Sequence, residues 1–260
     1  MKSSENSKAG VGLPVDVSGL SVLVTGASSG LGVHFAKLFA GLGANVTAAA
    51  RRSEVIEGYS ADLSQNSGAI QALKLDVSST DSVRETLAGR HFDIVINNAG
   101  VTVSASALDH DASALDRIID TNLKGVFAVA TTAAETMKEK GTGGSIVNVA
   151  SILGHRVAGH ASAYAASKAG VCQLTKALAL EWARYGIRVN SLSPGYVKTE
   201  LNDAFFSSPQ GEALIKRVPM RRLGDPSDLD GAVLLLASDL GRFMTGTDIV
   251  VDGGHLVSSL

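Results

Sequence analysis

The stretch LSVLVTGASSGLGVHFAKLFAGLG, residues 20–43, limits the possible folds of this chain more than any other. A β-branched apolar run reads as a buried strand, three glycines follow at 26, 30 and 32, and the apolar residues after them recur at helical spacing. Strand, glycine loop and helix in this order make an anion site. Backbone N–H groups can approach a pyrophosphate closely where there is no Cβ, and the helix N-terminus adds partial positive charge. The spacing is Gly-x-x-x-Gly-x-Gly rather than the more widespread Gly-x-Gly-x-x-Gly. Gly26, Ser28, Ser29, Gly30, Leu31 and Gly32 are therefore candidate contacts to a dinucleotide.

The same alternation continues down the chain. ANVTAAA, ALKLDVSS, FDIVINNAG, SIVNVA, IRVNSLSPG and TGTDIVVDGG each read as a strand, with helical segments between them and no hairpin signals. This predicts an α/β fold: a single-domain, doubly wound, Rossmann-like sheet of about seven parallel strands with helices on both faces. Strand count and the glycine loop exclude a (β/α)8 barrel. A sheet covered on both faces needs much apolar material, and 45% hydrophobic against 18% charged residues supplies it. The expected organisation is an N-terminal tail, 1–18, followed by one catalytic domain, 19–260. The stretch LDRIIDTNLKGVFAVATTAAETMKEKG predicts a long helix with a local kink at Asn122, whose amide competes for nearby backbone. Residues 53–68 carry a weak helix signal, 196–220 reads as an irregular substrate lid, and Asp225 or Ser227 is the expected N-cap of the helix after it.

A net charge of −2 with no long basic run gives no sign of a nucleic-acid or membrane-surface partner. The single cysteine, Cys172, excludes an intrachain disulfide and reads as a small core residue in a helix. MKSSENSKAGVG has no apolar signal core, and the expected location is cytoplasmic.

Two clusters carry chemistry. Ser151 follows the apolar run SIVNVA, and Tyr164 and Lys168 lie four apart at the start of a helix, on one face. A phenol ionises near pH ~10 in water, so it serves as acid or base at neutral pH only with help, and a lysine ammonium one turn away would favour the phenolate. Arg51 and Arg52 stand at the end of the second strand, where an acid would bind a ribose 2′-OH and an arginine suits a 2′-phosphate. No carboxylate stands at that strand end, so NADP(H) is expected and NAD(H) is the alternative. At the end of the fourth strand the small and amide residues Asn98, Ala99 and Gly100 permit close approach of the dinucleotide, while the asparagines also tie strand ends together.

TGASSGLG at 25–32, NNAG at 97–100, Asn122 in TNLKGV, Ser151, Tyr164, Lys168 and SPGYVKT at 193–199 occur in that order. From about Gly19 to Gly254 the chain resembles the single-domain branch of the short-chain dehydrogenase/reductase family. The resemblance implies that Ser151 and Tyr164 act on a carbonyl/secondary alcohol pair, that Lys168 holds the nicotinamide ribose and favours the phenolate, and that Asn122 holds a water linked to Lys168. It implies that Asp76 and Val77 lie beside the adenine and that Pro194, Gly195, Val197 and Thr199 complete the cofactor site. It also implies contacts between copies through the two long central helices, hence a homo-oligomer, expected as a tetramer. Metal is not required, because the serine and tyrosine hydroxyls polarise the carbonyl. Leu153, Arg156, His160, Tyr196, Phe205 and Phe206 are the candidate substrate contacts, Arg156 and His160 for an anionic group and the aromatics for an apolar one. The alternatives are an NAD-dependent alcohol dehydrogenase, a 3-oxoacyl thioester reductase and a non-catalytic dinucleotide sensor. Against the thioester reading, Leu180 replaces a basic residue that carrier-protein reductases place just before the glutamate here numbered Glu181.

Overall fold

Seven strands hydrogen-bond in the order β3-β2-β1-β4-β5-β6-β7, all parallel, in the computed structural model of the chain. They are β1 Ser21–Thr25, β2 Asn45–Ala50, β3 Ile70–Lys74, β4 Ile94–Asn97, β5 Gly144–Val149, β6 Ile187–Pro194 and β7 Asp248–Val251. The structure describes residues 15–60, 68–200 and 202–258. Most of the expected tail therefore lies outside the described residues.

Side chains alternate along each strand and build two cores. Val22 and Val24 of β1, Ile94 and Ile96 of β4, and Val147 and Val149 of β5 meet α1 (Gly30–Gly41) and α9 (Asp230–Ala237) through Phe35, Phe39, Val233 and Leu236. The intervening Leu23, Val95 and Ile146 pack on α3 (Thr80–Leu87), α5 (Gly125–Lys140) and α6 (Ser162–Trp182). The order of strand addition reverses between β1 and β4. Crevices beyond the carboxyl ends of strands at such a reversal are where open α/β sheets bind ligands.

The expected long helix through Asn122 is interrupted where the sequence places the kink. Helix α4 (Ala112–Ile119) passes through one π-helical turn, Asp120–Lys124, before α5 begins. A Cβ on Gly125 would stand 2.6 Å from the Val77 carbonyl oxygen, so glycine lets the start of α5 touch the loop after β3. The weak helix signal after β2 becomes α2 over Ser53–Ser60, and residues 61–67 lie outside the description.

The lid expected to be irregular contains two short helices, α7 (Asp203–Phe206) and α8 (Pro209–Ile215). Ser208 caps α8 by accepting from the Gly211 N–H at 3.2 Å, and Pro209 occupies its first position. A Ser-Pro start to a helix too short to show apolar periodicity explains why the pattern missed it. Before α9, Asp225 rather than Ser227 is the N-cap. Its own N–H donates to the Asp228 carboxylate at 2.8 Å, in a short 3-10 turn that leads into the helix.

Candidate active site

The glycine loop is fixed to its neighbour strand before any ligand arrives. Thr25, last in β1, accepts from the N–H groups of Asn98 and Ala99, both at 3.1 Å, and the Asn98 amide donates back to the Thr25 carbonyl at 3.0 Å. Gly26 has φ +68°, and a Cβ there would stand 2.7 Å from Ala99 Cα. At Gly32 a Cβ would meet the Gly26 carbonyl oxygen at 2.2 Å. These two glycines are required by close packing. Gly30, at φ +53°, faces only the Thr199 side chain at 3.5 Å, which leaves a cleft between the loop and the SPGYVKT segment. Helix α1 starts at that cleft with no side chain capping it, so its first N–H groups are available to an anion. The Arg52 guanidinium reaches the same loop, 3.5 Å from the Ser28 hydroxyl, with Arg51 and Arg52 both exposed at the end of β2. The loop thus fits a pyrophosphate. Asp76 turns its carboxylate onto the Ser78 N–H and hydroxyl, at 3.0 and 2.7 Å, shaping the turn after β3 beside Val77.

Ser151, Tyr164 and Lys168 come together beyond the ends of β5 and β6. Ser151 has an extended backbone, and its hydroxyl accepts from the Leu153 N–H at 3.1 Å, which starts a short 3-10 turn. Ser151 also stands near enough to the Tyr164 phenol to oppose the rise of its pKa. Lys168 is 3% exposed; its Nζ donates to the Val149 carbonyl at 2.7 Å and lies 5.8 Å from the Tyr164 ring centre.

Asn122 is wholly buried and its side chain is fully engaged. Its oxygen accepts from the Val101 N–H at 2.8 Å, and its nitrogen donates to the Val101 carbonyl at 2.9 Å and to the Ser167 hydroxyl at 3.1 Å. Ser167 in turn donates to the Tyr164 carbonyl at 2.7 Å. The π-helical turn therefore clamps the segment after β4 to the helix that carries Tyr164. Gly100 sits inside this clamp, where a Cβ would be 3.5 Å from the Asn122 amide oxygen and 3.6 Å from Lys168 Nζ.

Family membership follows from comparison of the whole assembly with known proteins. A family model described as enoyl-(acyl carrier protein) reductase matches residues 26–255. The 3beta-hydroxysteroid dehydrogenase 1 of Eggerthella lenta is 39% identical over 250 residues, covering 92% of this chain and 94% of its own. The chain belongs to the short-chain dehydrogenase/reductase family. Among solved structures, a short-chain type dehydrogenase/reductase from Mycobacterium marinum superposes with a TM-score of 0.87 at 40% identity, covering 93% of this chain and 97% of that one. A gluconate 5-dehydrogenase from Burkholderia cenocepacia, solved in complex with NADP and tartrate, gives 0.88 at 32% identity over 94% and 99%. This short-chain dehydrogenase/reductase is an oxidoreductase of alcohol and carbonyl groups.

Burial dominates the electrostatics of Tyr164 and Lys168. Burial raises the Tyr164 phenol above its usual range, the nearby Ser151 hydroxyl opposes this, and the neighbouring Tyr196 adds to it. Burial also lowers the Lys168 ammonium to about 8, with Cys172 opposing. Desolvation is the largest cause of both shifts.

The candidate substrate residues divide. Tyr196 stacks edge-on to the buried Phe206, ring centres 5.7 Å apart, and Phe205, half-exposed, stacks on Phe206 at 5.1 Å. Leu153 lies two residues after Ser151 and is partly buried. Arg156, expected to face an anionic substrate, instead donates to the His255 carbonyl and approaches the Ser258 hydroxyl at 3.5 Å. Its guanidinium holds the C-terminal turn. His160 is exposed with φ +61°, and its carbonyl accepts from the Ala105 N–H at 3.2 Å. Pro194 ends β6, Gly195 donates its N–H to the Val251 carbonyl at 2.9 Å, and Val197 pairs with Gly224, while Thr199 lines the cleft. Sequence reasoning missed Thr25, Val101, Val149 and Ser167. Thr25 alone had a visible signal, as the polar end of the first strand.

Proposed function

We propose that the chain reduces medium-sized apolar or aromatic ketones, or oxidises the matching secondary alcohols, with NADP(H), and that Ser151, Tyr164 and Lys168 carry the proton chemistry. The observation that carries this reading is the convergence of Ser151, Tyr164 and Lys168 at the sheet's carboxyl edge, with the Lys168 ammonium buried, 2.7 Å from the Val149 carbonyl and 5.8 Å from the Tyr164 ring centre. The nicotinamide, when bound, supplies the hydride in reduction and accepts it in oxidation. Ser151 donates a hydrogen bond to the substrate oxygen, and Tyr164 gives it the proton in reduction and removes it in oxidation. Lys168 holds ribose hydroxyls and supplies positive charge beside the phenol. Because the Asn122 amide is engaged with Val101 and Ser167, a water linked to Lys168 would bond the Asn122 main-chain carbonyl.

Gly26, Ser28, Ser29, Gly30, Leu31 and Gly32 would hold the pyrophosphate, and Arg51 and Arg52 the 2′-phosphate. Asp76 and Val77 would line the adenine, and Asn98, Ala99, Gly100, Pro194, Gly195, Val197 and Thr199 the ribose and nicotinamide. Support for the 2′-phosphate reading is the Arg52 guanidinium at Ser28, with no carboxylate at the end of β2. The NADP in the solved gluconate 5-dehydrogenase agrees with it. The aromatic group of Tyr196, Phe205 and Phe206 supports an apolar substrate, as does the hydroxysteroid named for the relative of 39% identity.

A panel of apolar ketones, sugars and the corresponding alcohols, assayed with NADPH and NADH by nicotinamide absorbance, tests the reading. An apolar ketone with NADPH should give the highest kcat/KM. Arg52→Ala should lower the NADPH value about tenfold or more, because a hydrogen-bonded charge contact contributes about 1.5–3 kcal/mol, and should leave the NADH value unchanged. A wild-type preference for NADH, or a sugar turned over faster than every apolar ketone, would refute it.

The titration directions set the pH profile. With the phenol raised, phenol predominates at neutral pH and phenolate appears only on the alkaline side. Alcohol oxidation should therefore climb with pH through the neutral and alkaline range, and ketone reduction should fall. Parallel initial-rate profiles in both directions check the opposite slopes.

The chain is also proposed to form a homotetramer in the cytoplasm. Phe127 of α5 is 48% exposed and Leu180 of α6 84%, on the two long helices that would pair between copies. Light scattering at micromolar concentration should give four times the chain mass; a monomer would contradict this. Among the described residues no helix is long and apolar enough to cross a membrane.

A further inference from the structure

Behind the catalytic serine, three side chains from three different elements converge on one point. His155 lies four residues after Ser151, Cys172 lies one turn beyond Lys168 on α6, and Asp248 opens β7. The His155 Nε2, Cys172 Sγ and an Asp248 carboxylate oxygen all lie within 4.8 Å of one another. His155 Nε2 is 2.8 Å from Asp248 Oδ2 and 3.7 Å from Cys172 Sγ, and the Ser193 hydroxyl is 3.4 Å from the same nitrogen. A ring nitrogen has at most one proton to share. Carboxylate, thiol and hydroxyl nevertheless all address it.

We propose that His155, Cys172 and Asp248 bind a thiophilic divalent cation of the Zn²⁺ class. Zinc bond lengths place a tetrahedral nitrogen–sulfur pair ~3.5 Å apart and a nitrogen–oxygen pair ~3.3 Å apart. The nitrogen–sulfur separation of 3.7 Å already matches, and the sulfur–oxygen pair, within 4.8 Å, must close by about an ångström when the cation binds. The nitrogen–oxygen separation requires His155 to withdraw by about half an ångström, and its side chain, on a loop and 30% exposed, is free to do so. Asp248 is held for the task by its other oxygen, Oδ1, which accepts from the Ser193 hydroxyl at 2.9 Å and from the Ser191 hydroxyl. Such outer hydrogen bonds orient carboxylate ligands at metal sites. Soft thiolate beside imidazole favours Zn²⁺ over Mg²⁺ or Ca²⁺, and three protein ligands leave the fourth position to Ser193 or water. The bound cation ties the loop after Ser151 to the helix of Tyr164 and Lys168 and to the edge strand. It is a cross-link beside the reaction centre and takes no part in hydride transfer.

The chain has a single cysteine, so any thiolate–metal absorption must come from Cys172. The experiment titrates untagged, EDTA-treated full-length protein with Co²⁺ and then displaces it with Zn²⁺. One equivalent per chain should bring a thiolate-to-cobalt charge-transfer band with tetrahedral d–d bands, and Zn²⁺ should bleach them and raise the melting temperature. Cys172→Ala should lose the charge-transfer band, and His155→Ala should weaken Co²⁺ binding at least tenfold. The melting temperature of metal-free His155→Ala, set beside that of the metal-free wild type, separates loss of the ligand from loss of the His155–Asp248 hydrogen bond. No thiolate band at saturating Co²⁺, or a band that His155→Ala leaves unchanged, would overturn the proposal.

Discussion

Tyr164→Phe is expected to lower turnover by about 10²–10⁴-fold, the usual contribution of a positioned general acid or base. Dinucleotide affinity should stay within a few-fold of wild type. The reason is a separation of roles within a short distance. The phenol lies near Ser151, whereas the loop fitted to the pyrophosphate is held by hydrogen bonds between Thr25 and Asn98. Loss of the hydroxyl removes a proton donor and leaves that loop intact. Melting temperature should change little, because the aromatic ring remains. Single-turnover rates together with fluorescence titration of NADPH separate the two effects. A variant that kept a tenth of wild-type turnover would transfer the proton role to another group.

Lys168→Met should abolish turnover and weaken the cofactor, and should at the same time stabilise the cofactor-free chain at pH 7. The folded pKa is about 8 against an ordinary value of 10.5, so the native state binds fewer protons than the unfolded chain between those values. Below pH 8 the buried ammonium carries its full cost, about 3 kcal/mol by the usual conversion. As pH rises from about 8 towards 10.5 that cost disappears. Against it stands the hydrogen bond to the Val149 carbonyl, with a net value of about 1 kcal/mol. Methionine fills a similar volume without charge, so denaturation at pH 7 should show a gain of about 1–3 kcal/mol that shrinks as the pH approaches 10. A loss of stability at pH 7, or a gain constant with pH, would mean that desolvation does not dominate at Lys168. The expected gain would make Lys168 a residue kept for activity at the expense of stability.

The sequence made the glycine loop, the parallel sheet and the Ser151, Tyr164 and Lys168 group legible because each is written in side chains at fixed spacing. Strand alternation followed by three glycines permits few other structures, and a tyrosine and lysine four apart must share a helix face. What was not legible depends on groups that carry no sequence signature. The acceptor for Lys168 is a main-chain carbonyl, at Val149, and the partner of Asn122 is the backbone of Val101; no residue type announces either. The kink at Asn122 was readable, but the close approach of Gly125 to the Val77 carbonyl beside it is a long-range contact that no local pattern shows. Helices α7 and α8 are too short for periodicity to register. Arg156 read as a free loop cation because its acceptor at His255 lies far along the chain. Cys172 read as a core residue, and it does pack against Val126, Ala150 and Val171. Its proximity to His155 and Asp248 arises only when α6, the loop after Ser151 and β7 are folded together.

The central claim, hydride transfer to a carbonyl with the proton delivered by Tyr164, is tested most directly with NADPH deuterated at the transferring position of nicotinamide C4. Incubated with an apolar ketone from the panel, the wild-type enzyme should give an alcohol carrying one deuterium on the carbinol carbon, and Tyr164→Phe should give almost no product under the same conditions. An alcohol without carbon-bound deuterium, or equal product from the variant, would contradict the account.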